Sequence, residues 1–143
     1  MVEGRWFAQE DDLTQPLAIR RAVFGRGRDA LDALARQVVV YGGGVPVGTA
    51  RLWWADGAFW MGDVGVLSAE RGKGYGDLLV RLVLYKAVSH AAAYVYLDCP
   101  RSLEPFFARY GFAPTEEAQS DTLTLRVSAD TMNGCAHCGH AAP

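Results

Sequence analysis

One stretch decides the fold: residues 63–76 read D-V-G-V-L-S-A-E-R-G-K-G-Y-G. The apolar run before the glycines, residues 59–67, lacks helical spacing and is bounded by glycine, so it predicts a strand. A segment with helical periodicity follows at residues 77–91. Between the two, a glycine stands at every second position, which lets the backbone turn tightly and approach a bulky ligand. The pattern predicts a strand, a loop and a helix that together bind an anion.

The charges of the loop support an anion site. Arg71 and Lys73 lie where the helix dipole already favours negative charge, and the first-turn amides of a helix point outward unpaired. Two nucleotide motifs are excluded. A P-loop needs Ser or Thr after its lysine, whereas Lys73 is followed by Gly74. A dinucleotide fingerprint needs G-x-G-x-x-G and an acidic residue after a second strand, and the chain offers G-x-G-x-G without that residue.

The loop has a family resemblance. Arg71-x-x-Gly74-x-Gly76, after a strand that ends Val64-Gly65-Val66, resembles the acetyl-CoA pyrophosphate loop of the GNAT superfamily of N-acyltransferases. Downstream, residues 106–112 read F-F-A-R-Y-G-F and resemble the family's F-[YF]-x-x-x-G-F signature, in which a short helix ends at a glycine. The resemblance extends over roughly residues 2–128. It implies a single α/β (α+β) domain with a mixed, mostly antiparallel twisted sheet flanked by about four helices.

The resemblance also implies acetyl-CoA as cosubstrate. The pantetheine would lie between the strand at Val66 and the strand at Leu97, and backbone N–H groups of residues 64–66 would polarise the thioester carbonyl. Ten residues are predicted to bind the cosubstrate: Val64, Gly65, Val66, Arg71, Gly72, Lys73, Gly74, Tyr75, Gly76 and Phe107.

Transfer of an acyl group to an amine requires a base, because the amine is protonated at neutral pH. Asp63 immediately precedes the pantetheine segment, and many amine-acetylating members of the family carry Asp or Glu near this point. We therefore predict Asp63 as the catalytic base. The alternative is a structural carboxylate that faces solvent or pairs with an arginine.

The general acid is less well defined. The second aromatic of the signature is often a tyrosine that protonates the departing thiolate, but this chain has Phe107, which has no proton to give. Tyr110 lies one helical turn further on and is the candidate acid, with an aromatic that packs the helix end as the alternative. Cys99 is predicted to be a packed thiol, because no histidine flanks it. Asp29 and Ser102 are predicted helix caps.

Composition sets the remaining limits. The chain has 143 residues and 50% hydrophobic content, enough for one domain with a buried core. A formal charge of -2 argues against a nucleic-acid surface. The one basic cluster is predicted to be a solvated helix face: Arg20, Arg21, Arg26 and Arg28. No apolar run approaches the roughly 20 residues of a membrane span, and the start lacks a signal-peptide core, so we expect a cytoplasmic protein.

The C-terminal residues form a separate feature. We divide the chain into a catalytic domain, residues 1–128, and a tail, residues 129–143. The tail contains C-x-x-C with two adjoining histidines: Cys135, His137, Cys138 and His140. These are enough ligands for tetrahedral zinc, but structural zinc sites usually join two separated ligand pairs. We therefore predict that the tail binds no metal. The alternative is a zinc site, either within one chain or shared between subunits.

The predicted function is transfer of an acetyl group from acetyl-CoA to a primary amine of a small molecule or of a protein or peptide. The alternative is a GNAT-like domain that binds CoA or metal without turnover, which the missing tyrosine favours. Expected partners are the small-molecule amine or peptide, without nucleic acid or membrane, and a homodimer is left open.

Overall fold

The structure is a computed structural model that describes residues 1–115 and 121–132, which form a seven-stranded sheet with helices on both faces. The strands are β1 (Val2–Phe7), β2 (Arg36–Gly42), β3 (Val45–Ala55), β4 (Ala58–Val66), β5 (Tyr94–Pro100), β6 (Ala113–Pro114) and β7 (Thr122–Ser128). The helices are α1 (Thr14–Phe24), α2 (Tyr75–Ser89) and α3 (Glu104–Ala108), with three 3₁₀ turns at Ala30–Ala33, Ser68–Glu70 and Arg101–Leu103. A further helical segment covers residues 129–132.

The sheet has the strand order β1-β2-β3-β4-β5-β7-β6. Strands β4 and β5 run parallel, and the other neighbours run antiparallel. The predicted fold class, a mixed and mostly antiparallel sheet flanked by about four helices, is confirmed. The parallel pair has α2 as its crossover, as a parallel connection requires.

Two apolar cores lie on opposite faces of the sheet, because alternate residues of a strand point to opposite sides. Val38 and Val40 belong to the larger core, which α2 covers. Val39 and Tyr41 belong to the smaller core, which α1 covers. Full burial of one such valine contributes roughly 1.5–3 kcal/mol. Strand β2 therefore contributes apolar side chains to both cores, one beneath α2 and one beneath α1.

Local sequence signals account for the β3–β4 hairpin turn and for one of the two predicted helix caps. Asp56 and Gly57 both have positive φ, 53° and 76°, as a tight hairpin turn requires. Asp29 accepts a hydrogen bond from the backbone in a capping box with Asp32, as predicted. The Ser102 cap is wrong: Ser102 lies inside a 3₁₀ turn, and α3 begins after Leu103 without a side-chain cap.

The first residues of the predicted tail, 129–132, pack against the domain. The Ala129 N–H donates to the Ala93 carbonyl oxygen at 2.7 Å, and Met132 is buried in the larger core. The division at residue 128 stays a prediction. Residues 133–143, with Cys135, His137, Cys138 and His140, lie outside the described residues, so the metal prediction is not addressed there. None of the helices in the described ranges is long and apolar enough to cross a membrane.

Candidate active site

The site begins where β4 and β5 separate. The two parallel strands pair only at Phe59–Val95 and Trp60–Tyr96, although β4 continues to Val66. Beyond Trp60 the edge of β4 that faces β5 therefore has no strand partner in the described sheet. The family resemblance implies that the pantetheine lies in the resulting wedge.

A β-bulge at Asp63 interrupts the pairing of β4 with β3. Thr49 of β3 lies opposite Gly65, but Arg51 lies opposite Gly62, so one residue of β3 faces two of β4. Such an extra residue bends the strand and re-aims a side chain. Asp63 has φ 50°, a left-handed conformation that is uncommon outside glycine. The bulge turns the Asp63 side chain toward the α1 side of the sheet.

A groove of about 600 Å³ runs along the opened edge. Its lining includes every predicted cosubstrate-binding residue except Lys73: Val64, Gly65, Val66, Arg71, Gly72, Gly74, Tyr75, Gly76 and Phe107. Lys73 instead pairs with Glu70 at 3.3 Å. Phe24, at the end of α1, forms part of the opposite wall. It can approach because Gly65 lacks a Cβ, which would lie 2.9 Å from the Phe24 ring.

The glycine loop leaves the N terminus of α2 open to this groove. Gly72 and Gly74 have φ 82° and 87°, and a Cβ added at either would meet nothing within 4 Å. No side chain among the described residues caps α2, whose first backbone hydrogen bond runs from the Leu78 N–H to the Gly74 carbonyl at 3.1 Å. The Arg71 Nε donates to the Val66 carbonyl at 3.1 Å, which holds the guanidinium beside the loop. Free first-turn amides beside a cation are an arrangement that commonly binds anions, so anion binding at this loop stays a prediction.

A second cavity, of about 260 Å³, adjoins the groove. The two share four wall residues, Phe24, Val64, Leu103 and Phe107. The second cavity adds polar and reactive groups from β4, β5 and the loop after α1: Arg26, Asp63, Asp98 and Cys99. The shared walls place these groups next to the end of the groove.

Asp63 is held by arginines. Its Oδ1 accepts a hydrogen bond from Arg26 Nη2 at 2.5 Å, and its Oδ2 lies 2.7 Å from Arg51 Nη2 and 3.9 Å from Arg20 Nε. The side chain is 14% exposed. Pairing with arginine, the alternative given above for this carboxylate, is thus present in the structure. The role of Asp63 as a base stays a prediction.

Comparison with known proteins identifies the family. The sequence model of the Acetyltransferase (GNAT) family matches residues 5–112. The chain belongs to this family. A curated protein of Bacillus subtilis (strain 168), named "Uncharacterized N-acetyltransferase YjcF", is 25% identical, with 77% of this chain and 84% of that protein covered. The resemblance seen in the two sequence motifs is confirmed.

Solved GNAT structures show the same fold. An acyl-CoA N-acyltransferase from Pseudomonas aeruginosa superposes with TM-score 0.79 at 23% identity, covering 90% of this chain and 100% of that one. Escherichia coli ElaA gives TM-score 0.75 at 24% identity, with 88% and 99% covered. A GNAT acetyltransferase from Elizabethkingia anophelis, solved with acetyl-CoA bound, gives TM-score 0.73 at 12% identity, with 89% and 97% covered.

In this GNAT protein, Tyr110 and Phe107 are both buried. The Tyr110 hydroxyl donates to Asp77 Oδ1 at 2.6 Å. Burial raises the pKa of Tyr110, and the hydrogen bond to Asp77 raises it further. Burial also raises the pKa of Asp77, but the hydrogen bonds from Tyr110 and Arg81 outweigh it, so that pKa is lowered. Asp77 lines the groove, so Tyr110 is connected to the groove by its hydrogen bond to Asp77. The role of Tyr110 as the general acid stays a prediction.

An ionic cluster beneath α1 was not foreseen. Arg20 and Asp32 are almost fully buried and bond through both guanidinium nitrogens at 2.8 and 2.9 Å, and Arg51 binds Asp29 at 2.7 and 2.8 Å. Burial raises the pKa of Asp32, but its hydrogen bonds, with that from Arg20 the largest, hold it well below the usual range. The prediction of a solvated face is wrong for Arg20, whereas Arg21 and Arg28 are exposed.

A sequence signal for Arg20 exists. Pro16, Ile19, Arg20 and Val23 share the spacing i, i+3, i+4, i+7 of the buried stripe of a helix. An arginine on such a stripe must find a carboxylate, because an unpaired buried charge is very unfavourable. The stripe therefore indicates a buried ion pair, although it does not identify the partner.

The Cys99 thiol is packed in the larger core, as predicted. Burial raises its pKa, and the nearby Glu104 and Asp98 carboxylates raise it further. The thiol is therefore protonated at neutral pH, which argues against a nucleophile. Within residues 1–115 and 121–132, no group of three or more His, Cys, Asp or Glu side chains could hold a metal ion.

Proposed function

We propose that this GNAT protein transfers the acetyl group of acetyl-CoA to a primary amine. The observation that carries the proposal is the continuity of the site. An uncapped helix N terminus and a glycine loop open onto a groove, which follows the unpaired edge of β4 to a cavity that contains Asp63. The anion site lies at one end of this path and the carboxylate at the other.

The residues along the path fit acetyl-CoA. Gly72 and Gly74 leave space beside the backbone amides for a pyrophosphate, and Arg71 adds a positive charge there. The edge of β4 at residues 64–66 presents backbone groups to the pantetheine, and Phe107 forms an apolar wall. The bound cosubstrate supplies an acyl group activated as a thioester. Backbone N–H groups of β4 would polarise its carbonyl.

Asp63 would bind the acceptor and take its proton. An amine must lose a proton before its nitrogen can attack, and the carboxylate borders the cavity next to the groove. Arg51 Nη2 lies 2.7 Å from Asp63 Oδ2 on the side away from the acceptor, and the proton that Asp63 takes would pass on to solvent. Tyr110 stays our candidate for the acid, with Asp77 connecting it to the groove.

The test of cosubstrate binding is Gly74→Glu. A carboxylate at the loop would repel the pyrophosphate. In the wild type, acetyl-CoA at about a hundredfold excess over its Kd should stabilise the fold by about 2.7 kcal/mol, or roughly 8 °C in Tm. The folded variant should lose this shift.

The matched control is Gly57→Glu in the β3–β4 hairpin. Gly57 also has positive φ, 76°, and open space around it, so the substitution brings the same backbone strain and the same charge. Both variants should melt below the wild type, but only Gly57→Glu should keep the acetyl-CoA shift. An unchanged shift in Gly74→Glu would reject the assignment of this loop.

A second candidate function is CoA binding without turnover. It is favoured by the apolar Phe107 and by the engagement of the Tyr110 hydroxyl with Asp77. Thiol release from acetyl-CoA over a panel of primary amines and short peptides separates the two functions. A normal acetyl-CoA shift with no thiol release above the buffer rate would favour the binding module.

A further inference from the structure

Arg26 has an unusual position in the site. It follows α1 directly, between Gly25, which ends the helix at φ 69°, and Gly27. Its guanidinium lies over the Phe24 ring at 5.3 Å and reaches Asp63 Oδ1 at 2.5 Å. The side chain therefore lines the second cavity while half of it, 50%, stays exposed to solvent.

The charges of the cluster balance only with Arg26 in place. The cluster pairs three arginines with three aspartates and so carries no net charge: Arg20, Arg26 and Arg51 with Asp29, Asp32 and Asp63. Arg20 and Arg51 are buried, at 1% and 3% exposure. Arg26 can leave at a smaller cost than either of these, because its half-exposed guanidinium regains water when the ion pair breaks.

Departure of Arg26 would create a specific vacancy. The cluster would then carry one net negative charge beside the cavity, and Asp63 Oδ1 would lose its hydrogen-bond donor. The other oxygen, Oδ2, is buried and has no well-aligned hydrogen bond, although Arg51 lies close to it. A primary ammonium would replace both things that Arg26 supplies to Asp63, a hydrogen-bond donor and a positive charge, whereas a neutral donor would replace only the first.

We propose that Arg26 is a displaceable specificity residue that occupies the ammonium site of the acceptor, so that the acceptor is a cationic primary amine whose ammonium replaces the Arg26 guanidinium on Asp63 Oδ1. This inference rests on the proposed acetyl transfer. The cavity of about 260 Å³ holds a small amine or the amine-bearing end of a larger molecule.

The chemistry balances without a further reactant. The ammonium on Asp63 loses one proton, and its nitrogen attacks the carbonyl carbon. A C–N bond forms, the thioester C–S bond breaks, and the electron pair of that bond leaves on sulfur. The amide nitrogen loses a second proton and the thiolate takes one up, so the products are the N-acetyl amine, CoA thiol and one proton released to solvent.

The test is Arg26→Lys, which needs no knowledge of the natural acceptor. This substitution places a primary amine on Asp63, at the end of the groove, on the same loop. With acetyl-CoA the introduced amine should be acetylated in cis, and peptide mass spectrometry locates the acetyl group. The background is simple, because the wild-type chain has two lysines, Lys73 and Lys86.

The matched control is Arg28→Lys, an exposed position two residues along the same loop. Residue 26 should be acetylated about tenfold or more faster than residue 28 and Lys86. Adding Asp63→Asn to Arg26→Lys should abolish the difference. Thermal unfolding of each variant verifies that it is folded.

Two results would overturn the inference in distinguishable ways. If acetyl-CoA stabilises Arg26→Lys but residue 26 is acetylated no faster than residue 28, Arg26 does not occupy the acceptor site, and the proposed function stands. That outcome is expected if Arg26 instead binds a carboxylate of the acceptor. If acetyl-CoA stabilises neither the wild type nor the variants, the proposed function fails and this inference fails with it.

Discussion

Two charged regions lie near β4, and they differ in whether their charges are paired within the protein. Beneath α1, Arg20, Asp32 and Arg51 are buried and paired with one another or with neighbouring aspartates. At the start of α2, Arg71 bonds to a backbone carbonyl and the helix N terminus has no side-chain cap. The first region satisfies its charges within the protein, and the second leaves donors for a ligand.

The first arrangement is typical of charges that stabilise a fold, and the second is typical of a terminus that can bind a ligand. A buried ion pair fixes geometry, because breaking it leaves a charge without solvent or partner. An open helix terminus loses little when empty, because water satisfies its amides, and gains when an anion binds. Asp63 lies between these extremes, since Arg51 holds it from the buried side and Arg26 from the cavity side.

The largest expected effect comes from removing the charge of Asp63. Asp63→Asn should lower turnover by about 10²- to 10⁴-fold while the acetyl-CoA shift in Tm stays nearly intact, since a positioned base contributes about that much. Steady-state thiol release and thermal shift on the same preparation measure the two quantities. Equal turnover in the variant and the wild type would place Asp63 wholly in the structural region.

The next effect concerns stability. Asp32→Asn keeps the side-chain shape but leaves the buried Arg20 and Arg51 charges without this partner, which should cost about 3–5 kcal/mol of unfolding free energy. Urea denaturation measures it. The control is Asp56→Asn in the exposed hairpin turn, where asparagine also accepts positive φ, with an expected change within about 0.5 kcal/mol.

The pH dependence of unfolding free energy, measured for the wild type and for Asp32→Asn, tests the same buried ion pairs. The folded pKa of Asp32 is held below its unfolded value, so its contribution is complete above about pH 4 and is lost as the pH falls further. The stability gap between the wild type and Asp32→Asn should therefore narrow in acid. A gap that stays constant from neutral pH to about pH 3 would contradict a paired, ionised Asp32.

The smallest effect is expected at Tyr110. Tyr110→Phe keeps the ring and deletes the hydroxyl that bonds to Asp77, so an acid role predicts about a tenfold drop in turnover, or roughly 1.4 kcal/mol. A drop below about twofold, roughly 0.4 kcal/mol, would show that the thiolate takes its proton from water. The acetyl-CoA shift should stay unchanged, because Tyr110 lies behind Asp77.

The backbone around the start of α2 could be predicted from local residues. The glycine loop depends on backbone conformations that a few adjacent residues impose, since Gly72 and Gly74 both have positive φ. The same is true of the groove lining, since most of it comes from one continuous stretch around β4 and α2. Sequence motifs carry this information because their parts lie close together along the chain.

The partners of the buried and half-buried charged side chains could be identified only from the tertiary structure. The partners are far apart in sequence. Arg26 and Asp63 are 37 residues apart, Tyr110 and Asp77 are 33 apart, and Arg20 and Asp32 are 12 apart. The helical stripe of α1 shows that Arg20 is buried, but only the packing of α1 on the sheet and the bulge in β4 bring the carboxylates to it. Ion pairs need two side chains within a few ångströms, and chain segments far apart in sequence reach that distance only when the sheet is assembled.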